Sequence, residues 1–129
     1  MDILNELKAK LVDIISNENI NLLVFNKENF SINVLILQLN IDLKINDIAT
    51  LYIKPTKIFI VKKKCEFENI LPVRIKSIKK GKVISLIKCL FLDSEFEVVM
   101  LNKSVNFKED DNAYMLFKSS DVSIRKKID

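Results

Sequence analysis

Apolar and polar residues alternate with a period of two along most of the chain. The alternation is clear at Ile32, Val34 and Ile36. Short runs of this kind are typical of strands that bury one face. The same pattern returns in further groups: Leu39, Ile41, Leu43 and Ile45; Ala49, Leu51 and Ile53; Ile58 and Ile60; Phe96 and Val98; Val105 and Phe107; Ala113, Met115 and Phe117; Val122 and Ile124. Because polar turn residues separate the groups, the sequence predicts an all-β fold.

The chain matches itself when it is shifted by 64 residues. Asn5 then falls on Asn69 and Lys54 on Lys118, and the apolar alternation of the two halves coincides. Roughly 14 pairs are identical, against roughly six expected by chance for this composition. We therefore predict two tandem modules, residues 1–64 and residues 65–129. About five short strands in each module favour a small barrel of the OB type.

The first residues carry two competing patterns. A helical stripe with Asp2 as its N-cap is one interpretation of the N-terminus. Its members are Ile3, Leu7, Leu11, Ile14 and Ile15. The equivalent segment of the second half contains Pro72 and alternates at Leu71 and Val73, which favours a strand. We predict a strand in both halves and keep a short N-terminal helical turn as the alternative.

The composition argues against catalysis and favours binding. The chain has no His, and Cys65 and Cys89 are too far apart in sequence to form a local metal clip. Gly81 is the single glycine, so a glycine-rich phosphate loop is missing. We predict that the protein is not an enzyme and has no metal site. Both thiols are expected to be buried or half-buried in a protein of the reducing cytosol.

Charge and hydropathy narrow the range of partners. The net charge is +4, and the lysines are interleaved with acids, whereas a dedicated nucleic-acid binder usually has a stronger basic bias. Binding of nucleic acid on an OB-like face would need exposed aromatic residues, but we expect Tyr52, Phe59, Phe91 and Phe96 in the core. No apolar run approaches the roughly 20 residues of a membrane helix, and no signal peptide is visible. We expect a soluble, cytoplasmic protein without a membrane or nucleic-acid partner.

Two longer patterns occur in both halves and identify a resemblance. Each half opens with Asn-x-Leu-x-small-x-aliphatic-x-x-Ile, at residues 5–14 and 69–78. Each half closes with an apolar residue, a lysine and another aliphatic residue four positions on, at residues 53–58 and 117–122. Together these patterns resemble the Mop or TOBE domain in its tandem, di-Mop form. That form is found in the C-terminal region of the molybdate-responsive transcriptional regulator and in stand-alone molybdate-binding proteins, and the resemblance covers nearly the whole chain.

The resemblance implies an OB-like β-barrel that forms homo-oligomers, dimers or larger, and binds molybdate or tungstate for storage, homeostasis or sensing. A tetrahedral dianion needs cations, hydroxyl groups and backbone N–H groups around it. The family's lysine maps onto Lys54 and Lys118. The hydroxyl donors that follow it are Thr56, Ser119 and Ser120. Asn5 and Asn69 complete the predicted oxyanion-binding set, with a role in shaping the entry of the chain rather than in touching the ligand.

Several positions depart from the family pattern. The glycine before the last part of each module is replaced by Asn46 and Asp110. Where the regulator has a Ser and an Arg before the opening Asn, the first half has Asp2 and Leu4, and the second half has two acids, Glu66 and Glu68. Acids at this position would repel an oxyanion. The alternative function is therefore a ligand-free module of the same fold, used for oligomerisation or for binding a partner protein.

Overall fold

The computed structural model describes residues 4–37 and 42–128. Within these ranges the chain forms ten strands and three short 3-10 helices, which confirms the predicted all-β class. The strands are β1 Glu6–Asn17, β2 Ile20–Lys27, β3 Phe30–Ile36, β4 Ile48–Ile53, β5 Phe59–Val61, β6 Asn69–Lys80, β7 Ile84–Phe91, β8 Ser94–Leu101, β9 Asn112–Phe117 and β10 Val122–Ile128. The 3-10 helices are Pro55–Lys57, Asn102–Ser104 and Ser119–Asp121. None of the described segments is a helix long and apolar enough to cross a membrane.

The ten strands form two five-stranded antiparallel sheets that exchange their last strands. The first sheet has the order β10-β4-β1-β2-β3, and the second has the order β5-β9-β6-β7-β8. Strand β5 thus leaves the first half to pair with β9, and β10 leaves the second half to pair with β4. The boundary at residue 64 marks the repeat in the sequence, while each sheet contains one strand from beyond it.

The elements of the two halves recur at the offset found in the sequence. Strands β2 and β7 begin at Ile20 and Ile84, and the 3-10 helices that precede the exchanged strands begin at Pro55 and Ser119. The long strands β1 and β6 both carry a register shift, between Leu11 and Asp13 in one and at the equivalent place in the other. A bulge bends a strand and increases its twist, so both sheets curl at the same place.

One continuous core joins the two sheets. In β1, Leu7, Ala9 and Leu11 are buried while Lys8 and Lys10 are exposed, as the period of two requires. The largest fully buried side chains come from both halves: Phe25, Phe91, Phe96, Phe117, Leu11, Leu23, Ile32, Leu51, Ile53, Ile58, Leu71 and Ile75. Complete burial of each such side chain stabilises the fold by about 1.5–3 kcal/mol. Because the core is shared, this stabilisation couples the halves.

The turns before β4 and β9 have the same construction in both halves. Asn46 and Asp110 adopt the left-handed conformation, with φ of 81° and 70°. Asn and Asp tolerate this region far better than branched residues, which explains how they can replace the glycine of the family pattern. The carboxylates of Asp47 and Asp111 each accept a backbone N–H three residues earlier, at 2.8 and 2.9 Å.

The strand interpretation of the N-terminal segment is confirmed, because β1 begins at Glu6 and runs to Asn17. Asp2 and Ile3, on which the helical alternative depended, lie outside the described residues. The prediction of strands at Leu43 and Ile45 and at Val105 and Phe107 is wrong, since none of these four residues is in a strand. Leu39 and Ile41 are also outside the described residues.

The physical reason for this error is that irregular chain can also place apolar side chains inward. Phe107 is buried, and Leu43 and Val105 pack against the core from outside the sheets. Three further burial predictions are wrong, and the first concerns Tyr52, which is half-buried rather than in the core. Phe59 is 54% exposed, although Phe91 and Phe96 are in the core as predicted, and Cys65 is exposed while Cys89 is buried.

Candidate functional site at the strand exchange

Lys54 and Lys118 lie where the chain crosses from one sheet to the other. Lys54 follows the end of β4, and Lys118 follows the end of β9. Each lysine is exposed and precedes a 3-10 helix of three residues, after which the exchanged strand begins. The extended conformation of both lysines, with ψ of 141° and 147°, carries the chain out of one sheet and towards the other. The predicted cations are therefore at equivalent junctions.

A pocket of about 200 Å³ opens beside Lys54. Its walls come from both halves of the chain: Tyr52, Lys54, Lys57, Ser120, Asp121, Val122 and Ser123. Two residues of the predicted set, Lys54 and Ser120, are thus brought together across about 65 positions of sequence by the strand exchange. Thr56, Lys118 and Ser119 do not line this pocket.

The electrostatic character of the pocket is positive. In the part of the chain that the structure describes, neither Lys54 nor Lys57 has a carboxylate partner. A third cation is close, since the guanidinium carbon of Arg125 lies 3.9 Å from the centre of the Tyr52 ring. Asp121 is the acid in the pocket wall. Within residues 4–37 and 42–128, three cations lie at or near the pocket and Asp121 is the carboxylate in its wall, and this balance favours an anionic ligand.

Hydroxyl groups supply neutral donors at the same place. Ser120 is exposed. The hydroxyl of Ser123 donates to the backbone oxygen of Tyr52 at 3.3 Å, which is long for a bond between two oxygens. A hydroxyl rotates to suit its partner, so Ser123 can turn its proton to an anion in the pocket. The pocket therefore combines exposed cations with hydroxyl donors, which is the chemistry that an oxyanion needs.

The equivalent position beside Lys118 is arranged differently. The Oε1 atom of Glu68 accepts the backbone N–H of Ser119 at 2.9 Å and its hydroxyl at 2.6 Å. Ser119 itself is buried. The pKa of the Glu68 carboxyl is held below its usual value, mainly by the hydrogen bond from the Ser119 hydroxyl and then by the bond from the Ser119 backbone N–H. The positive charge of Lys118 lowers this pKa further.

Asn5 and Asn69 are buried, and each exchanges two hydrogen bonds with the backbone of the opposite half, while Asn5 also donates to Ile53 of its own half. The Asn5 amide nitrogen donates to the oxygens of Ile53 at 2.8 Å and Glu97 at 3.0 Å, while its oxygen accepts the Glu97 N–H at 2.7 Å. Asn69 makes the equivalent exchange with the backbone of Asn33, at 2.9 and 2.7 Å. Each amide thus acts like a peptide group added to the edge strand of the other sheet, and Asn5 has used both its N–H groups.

The sequence reasoning missed Lys57, Ser123 and Tyr52. Lys57 stands three residues after Lys54, inside the closing pattern, so its spacing could have drawn attention to it. Nothing in the repeat could have indicated Ser123, because it joins the pocket only through the exchange of β10.

Other places on the molecule offer less to a ligand. A groove of about 540 Å³ lies over β6, β7 and β9, and Arg74 is the single charged residue among its described walls. Arg74 is paired with Asp110 at 3.3 Å.

Across the residues that the structure describes, no group of three or more acidic or Cys side chains is placed to hold a metal ion. Burial raises the pKa of the Cys89 thiol to about 12, which leaves it a packing residue.

Comparison with solved structures identifies the architecture. The fold is similar to a crystal structure of the cytoplasmic molybdate-binding protein ModG with molybdate bound, with a TM-score of 0.85 over 93% of this chain and 94% of that chain. The sequence identity is 14%, so the likeness establishes the fold alone. The chain has a tandem OB-like fold of the Mop type. No protein-family model matches it, and neither does any curated protein. Similarity to the transcriptional regulator stays a prediction.

Proposed function

We propose that the protein binds a tetrahedral oxyanion, molybdate or tungstate, in the pocket beside Lys54. The observation that carries the proposal is the meeting of Lys54 and Lys57 with Ser120 and Ser123 in one cavity at the strand exchange. The architecture supports the choice of ligand, since a protein of the same fold is described as molybdate-binding.

In this proposal the residues have distinct roles. Lys54 and Lys57 neutralise the charge of the dianion and donate hydrogen bonds, and the hydroxyl groups of Ser120 and Ser123 complete the contacts. Asn5 and Asn69 hold the two halves in the arrangement that forms the pocket. Asp121 weakens the site for a dianion, so its removal should increase the affinity.

Isothermal titration calorimetry tests the proposal. Molybdate and tungstate should bind the purified protein, with sulfate as the competing tetrahedral dianion. Lys54→Ala and Lys57→Ala should each reduce the affinity at least tenfold, since a charge-assisted hydrogen bond contributes about 1.5–3 kcal/mol and tenfold corresponds to about 1.4 kcal/mol.

Lys118→Ala is the matched control, because it removes an exposed lysine at the equivalent junction without touching the pocket. Its affinity should remain that of the wild type. Absence of binding heat with every anion, from a folded sample, would refute the proposed function. An equal loss of affinity in Lys54→Ala and Lys118→Ala would instead indicate that the anion binds outside this pocket.

We extend the proposal to the compartment and assembly that the fold suggests. The protein would hold its anion in the cytoplasm, for storage or sensing, as part of molybdenum homeostasis. Homo-oligomerisation also stays a prediction, and the exposed apolar side chains of Leu37 and Val83, at 70% and 67%, are candidate contacts. Light scattering coupled to size exclusion measures the oligomeric state directly.

A further inference from the structure

At the second junction, the one that contains Lys118 and Ser119, a carboxylate of the chain itself already occupies the donors. A carboxylate is an oxyanion, and that of Glu68 takes both donors of Ser119 next to the cation of Lys118. These are three groups that the sequence predicts for an external ligand: a lysine, a hydroxyl and a backbone N–H. Their occupation by a side chain distinguishes this junction from the one beside Lys54.

Glu68 is fixed in place by the residues around it. Its backbone oxygen accepts the side-chain amide of Asn33 at 2.9 Å. The next residue, Asn69, is buried and bonded to the backbone of the same Asn33. Because the backbone is held at Glu68 and at the residue after it, the Glu68 carboxylate reaches Ser119 with a reduced loss of conformational freedom.

The first junction has lost both partners of this interaction. Leu4 stands at the position equivalent to Glu68, and Pro55 stands at the position equivalent to Ser119. Leu4 has no charge, and Pro55 has neither a hydroxyl nor a backbone N–H. Leu4 and Pro55 therefore cannot form the bonds that Glu68 and Ser119 form, and the pocket beside Lys54 is lined instead by Lys57, Ser120 and Ser123, with Asp121 as its acid.

The opposite replacements occur around Lys118. Asp121 is the counterpart of Lys57, and Phe59 is the counterpart of Ser123. Lys57 is in turn the counterpart of Asp121, so the repeat gives both junctions one cation and one acid at these two positions. The difference is the aromatic ring of Phe59 in place of the Ser123 hydroxyl, and the two junctions thus share a fold while they differ in donors.

We propose that Glu68 is a built-in competitor that fills the Lys118–Ser119 position and limits each chain to one oxyanion, bound beside Lys54. The inference rests on the proposed function for the identity of the open pocket. It makes Glu68 a residue that determines stoichiometry without touching the bound anion.

Glu68→Ala tests the inference by removing the internal carboxylate. Calorimetry with molybdate should give one site per chain for the wild type and two for Glu68→Ala, and Glu68→Ala with Ser119→Ala should return to one. Glu66→Ala is the matched control, since it removes an exposed acid two residues earlier in the same segment. One site in Glu68→Ala, or two sites in Glu66→Ala, would overturn the inference.

Thermal unfolding separates this inference from the proposed function. Glu68→Ala should melt at a lower temperature than the wild type, and millimolar molybdate should restore the loss even when Lys54→Ala is added. The inference is supported if molybdate restores the melting temperature of Glu68→Ala combined with Lys54→Ala, but does not restore that of Glu68→Ala combined with Ser119→Ala. This result would hold whatever the wild type binds. Absence of binding to the wild type would refute the proposed function alone.

A measurement on the wild type covers the case in which Glu68→Ala does not fold. Carbon-13 NMR of the side-chain carboxyl groups follows Glu68 directly. Saturating molybdate should leave its signal unchanged, because the carboxylate stays on Ser119 while the anion binds elsewhere. A large shift of the Glu68 signal on addition of molybdate would mean that the anion displaces it, and would overturn the inference.

Discussion

Replacement of Asn5 and Asn69 by alanine tests whether two buried amides hold the halves together. The Asn5 side chain makes two hydrogen bonds to the backbone of Glu97 in the other half and one to Ile53 in its own half, and Asn69 makes two to Asn33 in the other half. An intramolecular hydrogen bond contributes a net of about 1 kcal/mol, and a buried partner left without one adds a penalty. Asn5→Ala should therefore lose about 3 kcal/mol from its bonds, and Asn69→Ala about 2 kcal/mol.

The backbone of Asn5 adds a second, separable contribution. Its φ is 62°, in the left-handed region, whereas Asn69 lies in the extended strand β6. Alanine in the left-handed region is about 1 kcal/mol less favourable, so the total for Asn5→Ala rises to about 4 kcal/mol. Glycine tolerates this conformation, and Asn5→Gly should thus be less destabilised than Asn5→Ala. For Asn69 the order should reverse, because glycine weakens a strand.

Urea unfolding at neutral pH is the assay, with the free energy of unfolding taken at a common slope. Asn26→Ala is the matched control, because that amide donates to the Glu28 oxygen at 2.6 Å in an exposed turn, where water can replace it. It should change the free energy of unfolding by less than about 1 kcal/mol. If both core variants are as stable as this control, the amides do not join the halves as described.

Three shorter predictions follow from the turn, thiol and carboxyl environments. Asn46→Val should lower the free energy of unfolding by about 1–2 kcal/mol and Asn46→Gly should not, because the position has φ of 81°; urea unfolding of the two variants measures the difference. A thiol reagent should modify one cysteine of the native chain, the exposed Cys65, and reach the buried Cys89 only after denaturation, and mass spectrometry counts the labels. The pKa of Glu68 is held low by Ser119, so its stabilisation is complete above the ordinary pKa of about 4.5 and disappears as the pH falls through the lower, folded value. The urea concentration at the midpoint of unfolding should therefore decrease as the pH is lowered below 4.5, and the decrease should be smaller in Glu68→Gln. Equal pH profiles of the two proteins would contradict the Glu68–Ser119 bond.

The repeat and the alternation were enough to predict the fold class. Buried positions such as Leu51 and Met115 must stay apolar in both halves, so the pattern survives where identities do not. Periodicity failed at Leu43 and Phe107, because it records which side chains face inward and does not record which backbone groups pair. At these places the chain closes a turn rather than a sheet, with Asp47 accepting the backbone N–H of Lys44.

The candidate site was only partly predictable. Lys54 and Ser120 were identified from the closing pattern of each half, but nothing in the repeat indicated that they belong to one pocket. That meeting depends on the exchange of β5 and β10, which pairs strands across the repeat boundary. An exchanged and an unexchanged arrangement bury the same apolar faces, so a single sequence does not discriminate between them. The sequence indicated that Glu68 is unfavourable for an oxyanion, but its hydrogen bond to Ser119 is seen only in the structure.

The strand exchange also explains how equal halves can acquire unequal junctions. The Lys54 pocket combines residues of β4 and its 3-10 helix from the first half with residues of β10 and its 3-10 helix from the second. A substitution in one half can therefore affect both junctions in different ways. Asp121 illustrates this, because it lies in the wall of the Lys54 pocket and also stands where the Lys118 junction would need the counterpart of Lys57. Core positions could not diverge in this way without leaving cavities. Exposed junction residues could, and the result is a symmetric scaffold with an open pocket beside Lys54 and a serine bonded to Glu68 beside Lys118.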